Sequence, residues 1–120
     1  MITAVCLNPC FDKTARVEQI NPGGMNRLAG LHVDCSGKGV NVAIMLARFG
    51  DPVQCAGILG RETESRFLHM LSVHGVAMRY VSVPGASRTN FKLAATGTGA
   101  VTEPQITRSP ARNRSPNAAR

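Results

Sequence analysis

A lysine between two glycines, at the start of an amphipathic pattern, is the clearest chemical signal in this 120-residue sequence. Gly37, Lys38 and Gly39 directly precede Val40, and apolar residues then recur at helical spacing as far as Phe49. A glycine loop that opens a helix presents backbone N–H groups and the positive end of the helix dipole to a ligand. The lysine adds a full positive charge there. The segment therefore predicts a site for a phosphorylated or otherwise anionic small molecule.

The spacing does not fit two common phosphate-binding motifs. A P-loop needs a glycine five residues before the Gly-Lys pair and a Ser or Thr after it, but these positions hold His32 and Gly39. A G-x-G-x-x-G loop needs a third glycine where Val42 stands. From these residues alone, an anion site and a tight turn with a solvated Lys38 are equally well supported.

Other polar residues lie near the expected ends of strands. Asp12 follows the first apolar run, and Arg88 and Asn90 flank Thr89 where a later strand begins. Arginine binds phosphate through two parallel hydrogen bonds, although a lone arginine or turn aspartate is also an ordinary solvated charge. Arg27 has the same two interpretations. The histidines show no ligand spacing, so we predict no metal site and no Ser/His/Asp catalytic group.

Apolar periodicity and turn residues predict an α/β chain. The expected helices cover 40–49 and 63–74, and the expected strands cover 2–7, 14–20, 25–33, 53–59, 76–83, 89–95 and 100–103. The order predicts a parallel sheet with right-handed crossovers, and a two-strand flap appended to one edge. Ligands of such sheets lie at the carboxyl ends of the strands. The turn at 8–12 and the loop at 37–39 should therefore face each other.

The net charge of +7 is concentrated at one end of the sequence. Residues 104–120 contain four arginines, no acidic residue and one large apolar residue. We expect this tail to be disordered, because it cannot bury enough apolar area to offset its ordering entropy. Aromatic residues are 4% of the chain and Trp is absent, which disfavours a surface that stacks nucleic-acid bases.

The four cysteines, Cys6, Cys10, Cys35 and Cys55, are not spaced as zinc ligands. Two of them lie in apolar runs, so we interpret the set as small buried hydrophobes. No signal peptide and no apolar stretch long enough to cross a bilayer is apparent. These features lead us to expect a reduced, cytoplasmic setting without membrane contact.

Taken in order, the motifs resemble the ribokinase-like (PfkB) carbohydrate kinases, and within them the branch of 1-phosphofructokinase and tagatose-6-phosphate kinase. The resemblance runs over residues 1–103. The segments that carry it are Leu7-Asn8-Pro9 with Asp12, Val17 to Asn26-Arg27, Gly37-Lys38-Gly39-Val40-Asn41-Val42-Ala43, Leu46-Ala47-Arg48-Phe49-Gly50, Gly57-Ile58-Leu59-Gly60, His74-Gly75-Val76, Arg88-Thr89-Asn90-Phe91-Lys92 and Thr98-Gly99-Ala100-Val101-Thr102-Glu103.

The resemblance implies an ATP- and Mg²⁺-dependent kinase that acts on a phosphohexose such as fructose 1-phosphate. It implies that Asp12 bonds the sugar hydroxyls and that Arg88, with Lys38, holds the phosphate already on the sugar. Asn90 would lie beside Arg88, and Gly37, Gly39 and Asn41 would complete the substrate cradle. The strands at about 13–33 would form a lid and a homodimer contact, with Arg27 able to reach a partner's site.

The chain departs from the family pattern in three places. Ser36 stands where a glycine usually precedes the glycine-lysine pair, which fits if its backbone φ is negative. The loop at 61–66 lacks the usual acidic-then-glycine spacing. The sequence also has no Gly-Ala-Gly-Asp segment, which in the family carries the general base. We therefore expect the substrate-binding part of a ribokinase-like fold at 1–103, truncated. The tail at 104–120 is then either out-of-frame sequence or the functional basic tail of a genuine short protein.

Three functions follow from this reading. The first is a sugar-phosphate kinase whose 120-residue form is inactive alone and contains no catalytic residue. The second is a sugar-phosphate binding module without catalysis. The third, which the lack of interleaved aromatics disfavours, is a nucleic-acid-binding protein that acts through its arginine tail.

Overall fold

The computed structural model describes residues 1–97 and 101–102, which form seven strands and two helices. The elements in chain order are β1 (Ile2–Cys6), β2 (Cys10–Val17), β3 (Gly30–Ser36), α1 (Lys38–Arg48), β4 (Val53–Gly60), α2 (Glu64–Val73), β5 (Ala77–Val83), β6 (Arg88–Ala95) and β7 (Val101–Thr102).

The strands form two sheets. In the first sheet, the order is β1-β4-β5 and all pairs are parallel. In the second sheet, the order is β3-β2-β6-β7: β2 runs antiparallel to β3 and parallel to β6, and β7 runs antiparallel to β6. The α/β class with a parallel sheet is confirmed. The predicted two-strand flap is wrong in extent, because β6 and β7 extend it to four strands.

Both helices end as the glycines predict. The Gly50 N–H bonds the Ala47 carbonyl at 3.0 Å, and the Asp51 N–H bonds the Leu46 carbonyl at 3.1 Å. This is the Schellman arrangement, and Gly50 supplies the positive φ of 85° that it requires. The end of α2 repeats the pattern at Gly75. α1 packs against β1 and β4, and α2 packs against β5 and β3.

One continuous core joins the two sheets. Phe67 of α2 is fully buried, and its ring meets the Phe11 ring of β2 edge-on, with centroids 5.5 Å apart. Phe11 and Cys35 from the second sheet belong to the same cluster as Leu59 and the α2 residues. Burial of a side chain such as Phe67 stabilises the fold by about 1.5–3 kcal/mol.

The second strand begins four residues earlier than the predicted 14–20 and ends at Val17. Asp12 therefore lies inside β2, and the turn predicted at 8–12 is confined to the residues before Cys10. The reason is that β2 pairs on both sides, with β3 and with β6, and these two ladders both begin at Cys10. Apart from Lys13, its polar residues lie on one face of an amphipathic strand.

The third strand runs from Gly30 to Ser36, so the predicted strand at 25–33 is displaced by several residues. The Asn26 side chain holds the preceding segment in a loop. It accepts a hydrogen bond from the Asn21 N–H at 2.7 Å and donates to the Asn21 and Gly24 carbonyls, each at 3.2 Å. These local bonds replace the strand ladder there.

All four cysteines are free and buried, as expected for small hydrophobic residues. The short strand expected at 100–103 is confirmed at Val101–Thr102. The remainder of that prediction and the disordered tail expected at 104–120 lie outside the described residues. Neither of the two described helices is long and apolar enough to span a membrane.

Candidate functional site

The polar face of the second sheet brings together most of the predicted site residues. Ser36, Cys10 and Arg88 are register partners across β3, β2 and β6. Asp12 and Asn90 are partners two residues further along. Because side chains two residues apart in a strand point to the same side of a sheet, these five residues share one face. We call this group the polar face.

Hydrogen bonds connect the side chains of the polar face. Arg88 Nη1 donates to Asn90 Oδ1 at 3.1 Å, and Asn90 Nδ2 donates to Cys10 Sγ at 3.6 Å. The Cys10 thiol in turn lies 3.9 Å from Asp12 Oδ1, within the range of a weak S–H donor. The four side chains therefore form one chain of contacts from the start of β6 to the middle of β2.

One nitrogen in this group is buried without a partner. Arg88 Nε has no hydrogen-bond acceptor among the described residues, although it is shielded from solvent. A buried donor left unpaired costs about 1–3 kcal/mol, and more where it is charged. A guanidinium binds carboxylate or phosphate through paired N–H groups. An anionic ligand oxygen would satisfy this nitrogen.

The loop before α1 meets the polar face at Ser36. Gly37 has a φ of 126°, and a Cβ there would lie 2.7 Å from Cys6 Sγ and 3.2 Å from Pro9 Cα. Only glycine fits this backbone and this space. The Ser36 φ is not positive, so serine is compatible with the loop, as the expectation required.

The start of α1 has the features of an anion site. Gly37 occupies the N-cap position, no side chain caps the helix, and the first turn has no acidic residue. A Cβ on Gly39 would collide with the Val5 carbonyl oxygen, so this glycine lets the helix start lie directly against β1. Because no side chain caps the helix, the first N–H groups of α1 can donate hydrogen bonds to an anionic ligand.

Ser36 connects this helix to the polar face. Its hydroxyl donates to Asn41 Oδ1 at 3.2 Å, and Ser36 is 8% exposed. Asn41 is exposed in the first turns of α1. The contact therefore fixes the predicted site residue Asn41 to the same network as Cys10.

Burial determines the charge state of Cys10. Desolvation raises the pKa of this thiol, the Arg88 charge and the neighbouring Ser36 hydroxyl lower it, and the Asp12 charge raises it. The net effect is a raised pKa. The sulfur therefore remains a protonated thiol at neutral pH and can both donate and accept a hydrogen bond.

Two predicted site residues lie apart from this network. Lys38 is exposed at the first position of α1, and in the described part of the chain its ammonium group has no hydrogen bond or ion pair. Arg27 lies in the loop between β2 and β3 and lines a separate open cavity of about 730 Å³ with Glu18, Asn21, Met25, Asn26 and Gly97. That cavity includes no residue of the polar face.

The sequence reasoning missed two members of the site. The sequence pattern favours Cys10 as a buried hydrophobe and shows Ser36 as a departure from a glycine pattern, yet both side chains contact the predicted residues. The alternation of side chains along a strand could have indicated this, because residues two positions apart, such as Cys10 and Asp12, lie on the same face. The same face continues to His32 and Asp34, whose Nε2 and Oδ2 atoms are 2.8 Å apart at the exposed edge.

Metal-ligating side chains are not grouped in this part of the molecule. Among residues 1–97 and 101–102, no three His, Cys, Asp or Glu residues are arranged to hold a metal ion. The candidate site therefore consists of the polar face, whose one carboxylate is that of Asp12, and the N-terminus of α1.

These features define an α/β protein with a candidate anion site next to a polar sheet face, and comparison with known proteins identifies the family more closely. The profile of the "pfkB family carbohydrate kinase" family matches residues 3–119. The chain belongs to this family. The match extends beyond the boundary expected at residue 103.

Curated relatives are named 1-phosphofructokinase. The chain is 35% identical over 92 residues to the protein from Vibrio cholerae and 38% identical over 92 residues to that from Rhodobacter capsulatus. Each alignment covers 77% of this chain and 29% of the relative. The chain thus spans less than a third of the length of these relatives.

Solved structures support the fold. Phosphofructokinase-2 from Escherichia coli, in complex with fructose-6-phosphate, matches with a TM-score of 0.79 at 23% identity, over 88% of this chain and 35% of that one. Ribokinase from Thermotoga maritima matches with a TM-score of 0.68 at 21% identity, over 86% of this chain and 35% of the other. The ribokinase-like expectation for the fold is confirmed.

Proposed function

We propose that this chain supplies the sugar-phosphate side of a 1-phosphofructokinase-like kinase, which transfers a phosphoryl group from ATP to a hydroxyl of a phosphohexose. The single observation that carries the proposal is the buried Arg88 Nε, which lacks a partner among the described residues and lies on the same sheet face as Ser36, two residues before the uncapped start of α1. The family and the 1-phosphofructokinase names of its relatives support it. Fructose 1-phosphate is the substrate we propose.

The proposed roles follow from the chemistry of each group. Arg88 and the α1 N-terminus, with Lys38 reaching in from its exposed position, hold the phosphate already on the sugar. Asp12 accepts hydrogen bonds from sugar hydroxyls, and Asn90 and Asn41 complete the polar contacts. Gly37 and Gly39 keep the loop close enough for backbone N–H groups to reach the ligand. Phosphoryl transfer depends on this kind of positioning.

The ATP and Mg²⁺ that the family uses do not fit the described residues. No metal-ligand group is formed in 1–97 and 101–102, and the 120-residue sequence has no Gly-Ala-Gly-Asp segment. We assign nucleotide, metal and general base to the part of the relatives that lies beyond this chain's alignment. The 120-residue chain should therefore bind the sugar phosphate without phosphorylating it, in a cytoplasmic setting.

A homodimer through the second sheet is part of the proposal. β3 is an edge strand, and Leu31 on it is 55% exposed. An exposed edge readily pairs with another copy. Arg27, on the adjoining loop, would then approach the partner. Light scattering should give a dimer mass that Leu31→Lys lowers to that of a monomer; an unchanged mass would exclude this contact.

Titration calorimetry tests the substrate side directly. The chain should bind fructose 1-phosphate, and Arg88→Met should raise the Kd by about tenfold or more, since hydrogen bonds to charged groups contribute about 1.5–3 kcal/mol. Lys38→Ala should weaken binding less, because this lysine is solvated. Arg79→Met, an exposed arginine on β5, is the matched control. Saturable binding that Arg88→Met leaves intact would refute the assignment.

A coupled assay with ATP tests the other half of the proposal. The 120-residue chain should produce no ADP above the rate without protein. ATP-dependent phosphorylation by the purified chain would show that the nucleotide site and the base are not confined to the rest of the relatives. Fructose 6-phosphate, run in parallel, reports which phosphohexose is preferred.

A further inference from the structure

We infer that Cys10 is a positioning residue of the sugar site, whose thiol fixes the orientations of Asp12 and Asn90. The inference rests on the proposed function. Cys10 is 1% exposed, so it contributes no surface to a ligand. Its importance would instead come from the two polar side chains that it contacts.

The position of Cys10 in the second sheet explains this role. β2 is an inner strand, and the partners of Cys10 are Ser36 on β3 and Arg88 on β6. All three residues share a face with Asp12 and Asn90. The sulfur is therefore the buried centre of the polar face.

The contacts of the sulfur use both of its hydrogen-bonding capacities. The thiol accepts from Asn90 Nδ2 at 3.6 Å and faces Asp12 Oδ1 at 3.9 Å as a donor. Asn90 Oδ1 is already occupied by Arg88 Nη1. With its oxygen held by arginine and its nitrogen by sulfur, the Asn90 amide has one defined orientation.

The thiol form is needed for this arrangement. A thiolate would lose the donor toward Asp12 and place a second negative charge beside that carboxylate. Burial opposes this ionisation, because desolvation raises the pKa of Cys10. A neutral thiol can donate a hydrogen bond to Asp12 and accept one from Asn90 at the same time. An alanine at this position can make neither bond.

Paired variants of the 120-residue chain separate positioning from simple packing. Cys10→Ala removes the sulfur, whereas Cys10→Ser replaces it with an oxygen that keeps a donor and an acceptor. Cys55→Ala, another fully buried cysteine outside the polar face, is the control for lost core packing. Far-UV circular dichroism and thermal melts establish that each variant is folded.

The first readout needs no ligand. In ¹H–¹⁵N spectra, the Asn90 side-chain amide signals should shift and exchange faster with solvent in Cys10→Ala. They should remain near their wild-type values in Cys10→Ser and Cys55→Ala. Unchanged Asn90 signals in Cys10→Ala would overturn the inference, whether or not a sugar phosphate binds.

The second readout is the affinity for two probes. Cys10→Ala should raise the Kd for fructose 1-phosphate about fivefold, the equivalent of one hydrogen bond, and Cys10→Ser less than twofold. Inorganic phosphate, which lacks the sugar hydroxyls, should bind all variants alike. Two outcomes would overturn the inference and make Cys10 only a packing residue. One is an equal loss of affinity in the alanine and serine variants, and the other is an equal loss of affinity for both probes.

The two proposals fail separately. If the wild-type chain binds neither probe, the proposed function fails. The Asn90 signals then still decide whether Cys10 orients that amide. If the wild-type chain binds the sugar phosphate but Cys10→Ala leaves the Asn90 signals unchanged, the proposed function is supported and the proposed role of Cys10 is refuted.

Discussion

The two sheets each leave one face open, and the open faces differ in chemistry. On the first sheet, Val5, Ile58 and Val81 share the face opposite the helices and are 61%, 37% and 64% exposed. On the second sheet, the open face carries Asp12, Arg88 and Asn90 instead. The first is suited to contact with another polypeptide surface and the second to a small polar ligand.

The difference shows how the chain separates stability from binding. Both sheets turn their apolar sides toward one core, where Phe11 and Phe67 meet. The connected group of hydrogen-bonding side chains that includes Asp12, Arg88 and Asn90 lies on the far side of the second sheet. A substitution in the shared core should therefore act on both sheets, whereas a substitution on one open face should act on that face alone.

The largest expected effect comes from breaking the shared core. Phe67→Ala should lower the free energy of unfolding by about 3–5 kcal/mol, because the ring is fully buried and a cavity would remain. Urea unfolding monitored by circular dichroism measures the loss. Phe49→Ala, an exposed phenylalanine at the end of α1, is the matched control and should cost far less. Equal losses in the two variants would contradict a common core.

The next effect concerns the loop that joins the second sheet to α1. Gly37→Ala should cost about 1–3 kcal/mol, since alanine is strained at a φ of 126° and its Cβ would press on Cys6 Sγ. The same change should abolish sugar-phosphate binding. Gly23→Ala provides the control, because Gly23 also has a positive φ but nothing lies within 4 Å of its Cβ position. If the two variants bind alike, the close approach at Gly37 has no role in the site.

Alkaline pH should weaken both sheets through their buried thiols. Burial raises the pKa of Cys35 in the second sheet and of Cys55 in the first to about 11, from an ordinary value of 9. The folded chain then holds these protons where the unfolded chain loses them. Stability is thus complete below pH 9 and falls as the pH rises toward 11.

Thermal melts between pH 8 and 11 measure this loss, which should be of the order of 1–2 kcal/mol for each thiol. The double variant Cys35→Ala with Cys55→Ala should start less stable but show a flatter dependence on pH. A slope equal to that of the wild type would assign the alkaline loss to other groups.

The sequence predicted the first sheet better than the second for a physical reason. Its strands are nearly continuous apolar runs, and its helices end at Gly50 and Gly75, whose positive φ permits the closing turn. In the second sheet, the polar residues of β2 interrupt the apolar signal, so the strand was assigned four residues too late. Local hydrogen bonds of Asn26 displaced β3 in a similar way.

The grouping of the site was only partly accessible from the sequence. Asp12, Arg88 and Asn90 were chosen one by one, and their proximity depends on the parallel pairing of β2 with β6, which joins residues about eighty positions apart. No local pattern specifies such a register. The sequence does not indicate Cys10 as a site residue, because a buried cysteine is most often only a small hydrophobic residue.

The smallest effect on stability, and the sharpest test of the contrast between the open faces, comes from a charge on the first sheet. Val81→Lys should change the free energy of unfolding by less than about 0.5 kcal/mol, because Val81 is largely exposed. It should nevertheless reduce association beyond the dimer proposed through β3, since it interrupts the apolar patch shared with Val5 and Ile58. Light scattering at several concentrations measures the mass, and Ser65→Lys, on the exposed side of α2, is the control. If both variants associate as the wild type does, any contacts between dimers lie elsewhere, and the open face of the first sheet is not the surface that brings dimers together.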